Sequence, residues 1–236
     1  MDRDDAHSGV DVTVPRANAA PRLGEPRWIP AAAIVVFLAL NVALRVWLPR
    51  EAAVRVPWLL PAVEVTLLVV LLVADPGSLV RRRQILRRVA LALVVVLVLA
   101  ALWSTALLIY DLVRAEGVTQ SATRLLATGA VVWIGNNLAF ALLYWLMDGG
   151  GPVARSQQEV PVDFAFTQHM SPELAPANWR PVFLDYLHLG FTNATAFSPT
   201  DVMPLTHRAK LTMIVQSTVA LALFGLIVAR AVNAFA

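Results

Sequence analysis

Cysteine is absent from this chain of 236 residues, which excludes disulfides, thiolate metal sites and cysteine nucleophiles together. Charge is scarce as well: Asp, Glu, Lys and Arg make up 15% of the residues, against roughly 25% in an ordinary soluble domain. Lysine is reduced to Lys210, so nearly all the basic charge is arginine. The four histidines form neither an HExxH motif nor a paired spacing that would hold a metal. No Ser-His-Asp set, Gly-rich phosphate loop or carboxylate pair stands out, so no enzyme, cofactor or metal is expected. The net charge of +3 comes without any RNA- or DNA-binding motif, and nucleic acid is not an expected partner.

What fills the chain instead is apolar: 58% of the residues, gathered in five runs. A bilayer's hydrocarbon core takes about 20 apolar residues of helix. The runs 28–48, 57–74, 89–110, 125–147 and Leu211 to about Phe235 meet that length or nearly do. The second is short and opens with Pro57 and Pro61, which the start of a helix tolerates. Trp28 and Trp47 bracket the first run as interfacial anchors. The expected fold is therefore all-α integral membrane, with five transmembrane helices and one short re-entrant helix and loop. Its expected divisions are a disordered, polar tail over 1–27, four spans over 28–147, and a polar loop rich in Pro and Gly over 148–178. A re-entrant helix and loop over 179–206 and a fifth span over 207–236 complete them.

The re-entrant element rests on NWRPVFLDYLHLGF, residues 178–191. Asn178 reads as an N-cap, Pro181 sits in the first turn, and Phe183, Leu184, Leu187 and Phe191 recur at helical spacing. A helix over about 179–194 is too short to span, and the bilayer tolerates its irregular end only where protein shields it. His188 on this helix has two readings, a pH-sensitive group or, less favoured, a metal ligand. Asp201 has a structural reading too, as the cap of the last helix.

Orientation follows from the arginines. With five spans, the tail, the loop before the third span and the long loop before the fifth share one side, and thirteen of the nineteen basic residues lie there. The positive-inside rule puts that side in the cytoplasm. RRRQILRR, residues 81–88, reads first as a topology determinant and second as a patch for anionic lipid. The span interiors carry four polar candidates for lining a path: Glu64, Asn136, Asn137 and Gln216. The plainer reading of the three amides is hydrogen bonding between helices, and that of Glu64, about seven residues from its span's start, is a protonated or snorkelling acid.

After the short helix come Thr195, Ala196, Phe197, Ser198, Pro199, Thr200 and Asp201, with Pro204 three residues beyond the acid. This order resembles the potassium-channel pore module: a pore helix, a filter reading T-x-G-Y-G-D, a later Pro and a final span. Asp201 takes the place of the filter's acid. Ser198 and Thr200 stand where the filter has glycine, and Pro199 between them fixes φ near −65°. The resemblance implies a hydroxyl-lined, weakly selective mouth, with Asp201 forming a ring that attracts monovalent cations if four chains assemble. Nearly the whole chain is also similar to a bacterial family of uncharacterised five-span membrane proteins that has an Arg-rich second loop and a degenerate, pore-like segment. Two functions follow as expectations. One is an ion-channel-like pore module in the cell's plasma or inner membrane, a homo-oligomer in the lipid bilayer. The alternative is a non-conducting membrane scaffold or accessory protein.

Overall fold

A computed structural model describes residues 28–47, 58–73, 80–114, 122–157, 161–176, 179–195 and 201–235. The expected tail over 1–27 lies outside them, as do Ala196, Phe197, Ser198, Pro199 and Thr200 of the pore-like segment. Five long helices carry the described chain: α1 (Trp28–Trp47), α2 (Leu59–Val73), α3 (Val80–Arg114), α4 (Ala122–Met147) and α8 (His207–Phe235). Between the last two lie α5 (Pro152–Gln157), β1 (Phe164–Phe166), α6 (Thr167–Met170), α7 (Phe183–Thr195) and β2 (Val202–Pro204).

Among the described residues, four helices are long and apolar enough to cross a membrane: α1, α3, α4 and α8. The described part of α2, 15 residues, extends about 22 Å, less than the roughly 30 Å hydrocarbon core, so of the five expected spans, the second already short in the sequence, four have full length among the described residues. Helix α2 still runs beside its neighbours in antiparallel register. Arg45 of α1 stacks over Trp58 at 4.3 Å, and one turn further in Asn41 meets Glu64. Apolar side chains such as Val36, Leu99, Trp103, Leu211 and Phe224 point outward, as on helices surrounded by lipid. Trp28 and Trp47 stand exposed at the two ends of α1, where interfacial anchors belong.

The bundle's axis is α4. Of its apolar window 67% is buried, against 22% for α8, because α3, α7, α8 and α1 all pack on it. α7 runs antiparallel to it. Phe183 meets Trp145 edge-on at 6.0 Å, and Phe191 meets Trp133 at 5.7 Å, so the short helix starts at the C-terminal end of α4 and reaches about its middle. Gly190 lets the backbones come close, since a Cβ there would sit 3.4 Å from the Asn137 carbonyl. The third helix extends from Val80 rather than from residue 89, because Arg and Gln are good helix formers and carry the helix beyond the apolar run.

Three expectations for the connector are corrected. The stretch 148–178 is not simply a polar loop: it opens with a 3-10 turn (Asp148–Gly150) and includes β1. That strand pairs antiparallel with β2 in the register Phe164↔Pro204, Ala165↔Met203 and Phe166↔Val202. Helix α7 begins at Phe183, not at 179. The Asp185 carboxylate accepts the Val182 N–H at 2.7 Å, the reciprocal half of a capping box, which fixes the start four residues later. Helix α8 begins at His207, and its cap is Thr206 rather than Asp201: the Thr206 hydroxyl accepts the Ala209 N–H at 3.3 Å.

Candidate functional site

Where α4 leaves its apolar run, the chain turns sharply through Asp148, Gly149, Gly150 and Gly151. Gly149, Gly150 and Gly151 have φ of 52°, 80° and 90°, the left-handed region that side chains other than glycine rarely adopt. The turn tucks Asp148 inward, and its fully buried carboxylate collects three donors. Oδ1 accepts the backbone N–H of Asp163 at 2.6 Å and of Phe164 at 3.2 Å. Oδ2 accepts the Tyr186 hydroxyl at 2.5 Å. The Asp148 carbonyl accepts Arg155 Nη1 at 2.8 Å, and that guanidinium lies 4.9 Å over the Tyr186 ring.

A second buried acid, Asp163, adjoins the first. Arg208 grips it in a fork, Nε to Oδ1 and Nη2 to Oδ2, both at 2.6 Å. The Thr206 hydroxyl donates to Oδ1 at 2.6 Å, and the Gly149 N–H to Oδ2 at 3.2 Å. Burial on its own would raise this carboxyl, but the Arg208 and Thr206 hydrogen bonds outweigh it and hold it below the usual carboxylate range. Phe164 and Phe166, on the inward face of β1, seal the cluster against Tyr144 and Tyr186 at ring separations of 5.3 and 5.4 Å. One polar cap thus ties together the ends of α4, α7 and α8 and the β1–β2 ladder.

Of the described ends of the pore-like segment, Asp201 lies beside this cap and Thr195 lies deeper, towards the middle of α4. Thr195 closes α7 with its hydroxyl bonded back to the Phe191 carbonyl at 2.8 Å. Asp201 lies back near the start of α7. Its carbonyl accepts the Thr167 N–H at 3.2 Å, and its Oδ2 stands 3.3 Å from His188 Nδ1. Phe166, Gln168, Leu184, Asp185, His188 and Asp201 line a groove of about 430 Å³. Burial raises the Asp185 carboxyl above its ordinary range. No group of three or more His, Asp or Glu side chains among the described residues could hold a metal.

The four path candidates fall into separate places. Glu64 is fully buried beside Asn41, in a cleft that Leu97, Ser104 and Gly135 also line. About 20 Å³ there is open to a water's centre, room for about one water. Asn136 donates to the Thr105 hydroxyl at 2.7 Å. Asn137 donates to the Trp133 carbonyl at 2.9 Å. Gln216 is a hub between three helices: Oε1 accepts Tyr144 at 2.7 Å and Asn193 at 2.9 Å, and Nε2 donates to the Gly190 carbonyl at 2.9 Å. Sequence reasoning passed over Asp148 and Asp163. The alternation Val160, Val162, Phe164, Phe166 carried a strand signal, but it puts Asp163 on the opposite, outward face and so gave no sign of its burial.

The class that the fold defines is a helical membrane protein with several apolar spans. The chain matches no family model, no curated protein and no solved structure.

Proposed function

We propose that the chain is a non-conducting membrane scaffold or accessory protein of the bacterial plasma or inner membrane, with α2 as a fifth, short crossing. In this reading α7 is a re-entrant helix that enters from the cap end and reaches the middle of α4, and Asp201 stands beside its His188. The observation that carries the reading is the Gln216 hub. A side chain that could line a path is instead engaged by α4 through Tyr144 and by α7 through Asn193 and Gly190. Each such bond is worth about 1 kcal/mol, and together they hold the re-entrant helix to its own chain. The positive-inside count supports a cytoplasmic cap.

A weakly selective cation channel, assembled as a tetramer, is the second reading, and Asp201 favours it. That acid is partly exposed and lines the groove beside Asp185 and His188. A ring of such acids would concentrate cations. Purification with determination of oligomeric state, followed by cation flux from liposomes at two salt concentrations, separates the two. The scaffold reading expects no flux from wild type or from Asp201→Asn. Tetramers that conduct, with Asp201→Asn slower and most so at low salt, would replace it with the channel.

A further inference from the structure

The cap also gathers positive charge that its own acids do not neutralise. Arg87, three turns short of the middle of α3, brings its Nε to 3.5 Å from the point where a Gly151 Cβ would stand. Arg88 and Arg208 act on it as like charges and Asp163 as the opposite one. Asp163 is already filled by Arg208, Thr206 and Gly149, and Asp148 by Tyr186 and two backbone N–H groups. Arg87 and Arg88 are exposed and make no hydrogen bond or ion pair among the described residues. Arg208, 53% exposed, uses only Nε and Nη2 on Asp163. Arg87, with Arg88 next to it in the chain, and Arg208 thus bring guanidinium groups from two helices to the cap, with Asp163 acting on both Arg87 and Arg208.

Depth decides what would complete the cluster. The apolar run of α3 begins at Val89 and α8 begins at His207, so Arg87 and Arg88 stand just before the one and Arg208 in the first turn of the other, on helices that go on into hydrocarbon. That is the level of lipid headgroups, where each arginine near an anionic surface contributes about 1 kcal/mol. A guanidinium fork matches the geometry of a phosphate. We infer that Arg87, Arg88 and the outward edge of Arg208 form a binding site for the phosphodiester headgroup of an anionic phospholipid, at the junction of α3, α8 and the Gly149–Gly151 turn. The inference goes beyond the scaffold reading and stands whether or not the chain conducts.

The test uses the full chain in a neutral detergent, with its thermal unfolding midpoint read after adding phosphatidylglycerol, phosphatidylcholine or inorganic phosphate. Phosphatidylglycerol is expected to raise the midpoint, with phosphatidylcholine and phosphate leaving it unchanged. Arg87→Gln combined with Arg88→Gln removes no side-chain hydrogen bond or ion pair among the described residues, so it should unfold normally in detergent alone and bind phosphatidylglycerol about 25-fold more weakly, at about 1 kcal/mol per arginine. Wild type supplies a check without any variant: 1 M salt should abolish the protection, since screening then acts within about 3 Å. Equal protection by phosphatidylcholine, equal protection by free phosphate, or a protection that survives the double substitution or high salt would each overturn the site.

Discussion

Glu64 and Asp163 are both buried to 0% exposure, in surroundings that differ sharply. Glu64, between α1 and α2, receives one side-chain hydrogen bond from Asn41, and its Oε2 has no partner among the described residues. Its neighbours in the cleft are mostly aliphatic. Asp163, in the cap, receives four hydrogen bonds that occupy both of its oxygens. A buried charge is tolerated when it is paired and fully hydrogen-bonded. The end of a bundle can supply an arginine reaching in from water and backbone N–H groups from an irregular turn. The middle of a bundle of helices has its backbone donors already engaged and offers only side chains. Hence the cap can be a rigid polar core, whereas the Asn41–Glu64 contact is a local accommodation.

The largest test of that contrast is Asp148→Ala. It would strand the Tyr186 hydroxyl and the N–H groups of Asp163 and Phe164 in a dry site, each at about 1 to 3 kcal/mol. A loss on the order of 4 kcal/mol is expected, read as the unfolding midpoint in detergent, with loss of the tyrosine environment that near-ultraviolet circular dichroism reports. A loss below about 1 kcal/mol would mean that the cap is not the rigid part of the molecule.

Asp163→Asn should cost less, about 2 kcal/mol at neutral pH, from weakened charge-assisted bonds, moderated because Arg208 is half in water. Its pH dependence has a definite sign. The folded-state carboxyl lies below its ordinary range, so the unfolded chain takes up this proton first. The stability that the acid contributes is then present above about pH 4 and is lost as the pH falls through the folded-state value. Wild type and Asp163→Asn should therefore converge below about pH 4, and a gap that stayed constant to pH 3 would contradict the pairing.

This contrast was only half visible in the sequence. Runs of apolar residues marked α1, α4 and α8 to within a few residues, because burial in lipid needs length and hydrophobicity and little else. Glu64 stood out for the same reason, as an acid within an apolar run. Asp148 did not, since it ends such a run and looks like any solvated acid at a span's edge. Its partners come from 15 to 38 residues away, and a hydrogen bond across that separation leaves no periodic trace. The three glycines after it were legible as a break, but their role in turning an acid inward was not. The start of α7 was misplaced because Pro181 suggests a first turn, whereas the Asp185 side chain selects Val182 as the cap.

The smallest expected effect belongs to Glu64→Gln, and it bears most directly on the comparison. Glutamine keeps the size of the side chain and an acceptor for Asn41 Nδ2, and it carries no charge at any pH. Insertion scales put a charge at the centre of a span at about 2.5 to 3.5 kcal/mol unfavourable, so removing the capacity for charge cannot cost what Asp163→Asn costs if the cleft supplies nothing to stabilise an anion. The midpoint of Glu64→Gln should then stay within about 0.5 kcal/mol of wild type or rise, as surface-neutral substitutions do. The room for about one water beside it is the one feature that could reverse this, by satisfying Oε2 with a bound water or a small cation. A loss near 2 kcal/mol, matching Asp163→Asn, would show that Glu64 is as fully engaged as the acids of the cap. Glu64 would then be part of a built site, and the contrast between the cap and the middle of the bundle would fail.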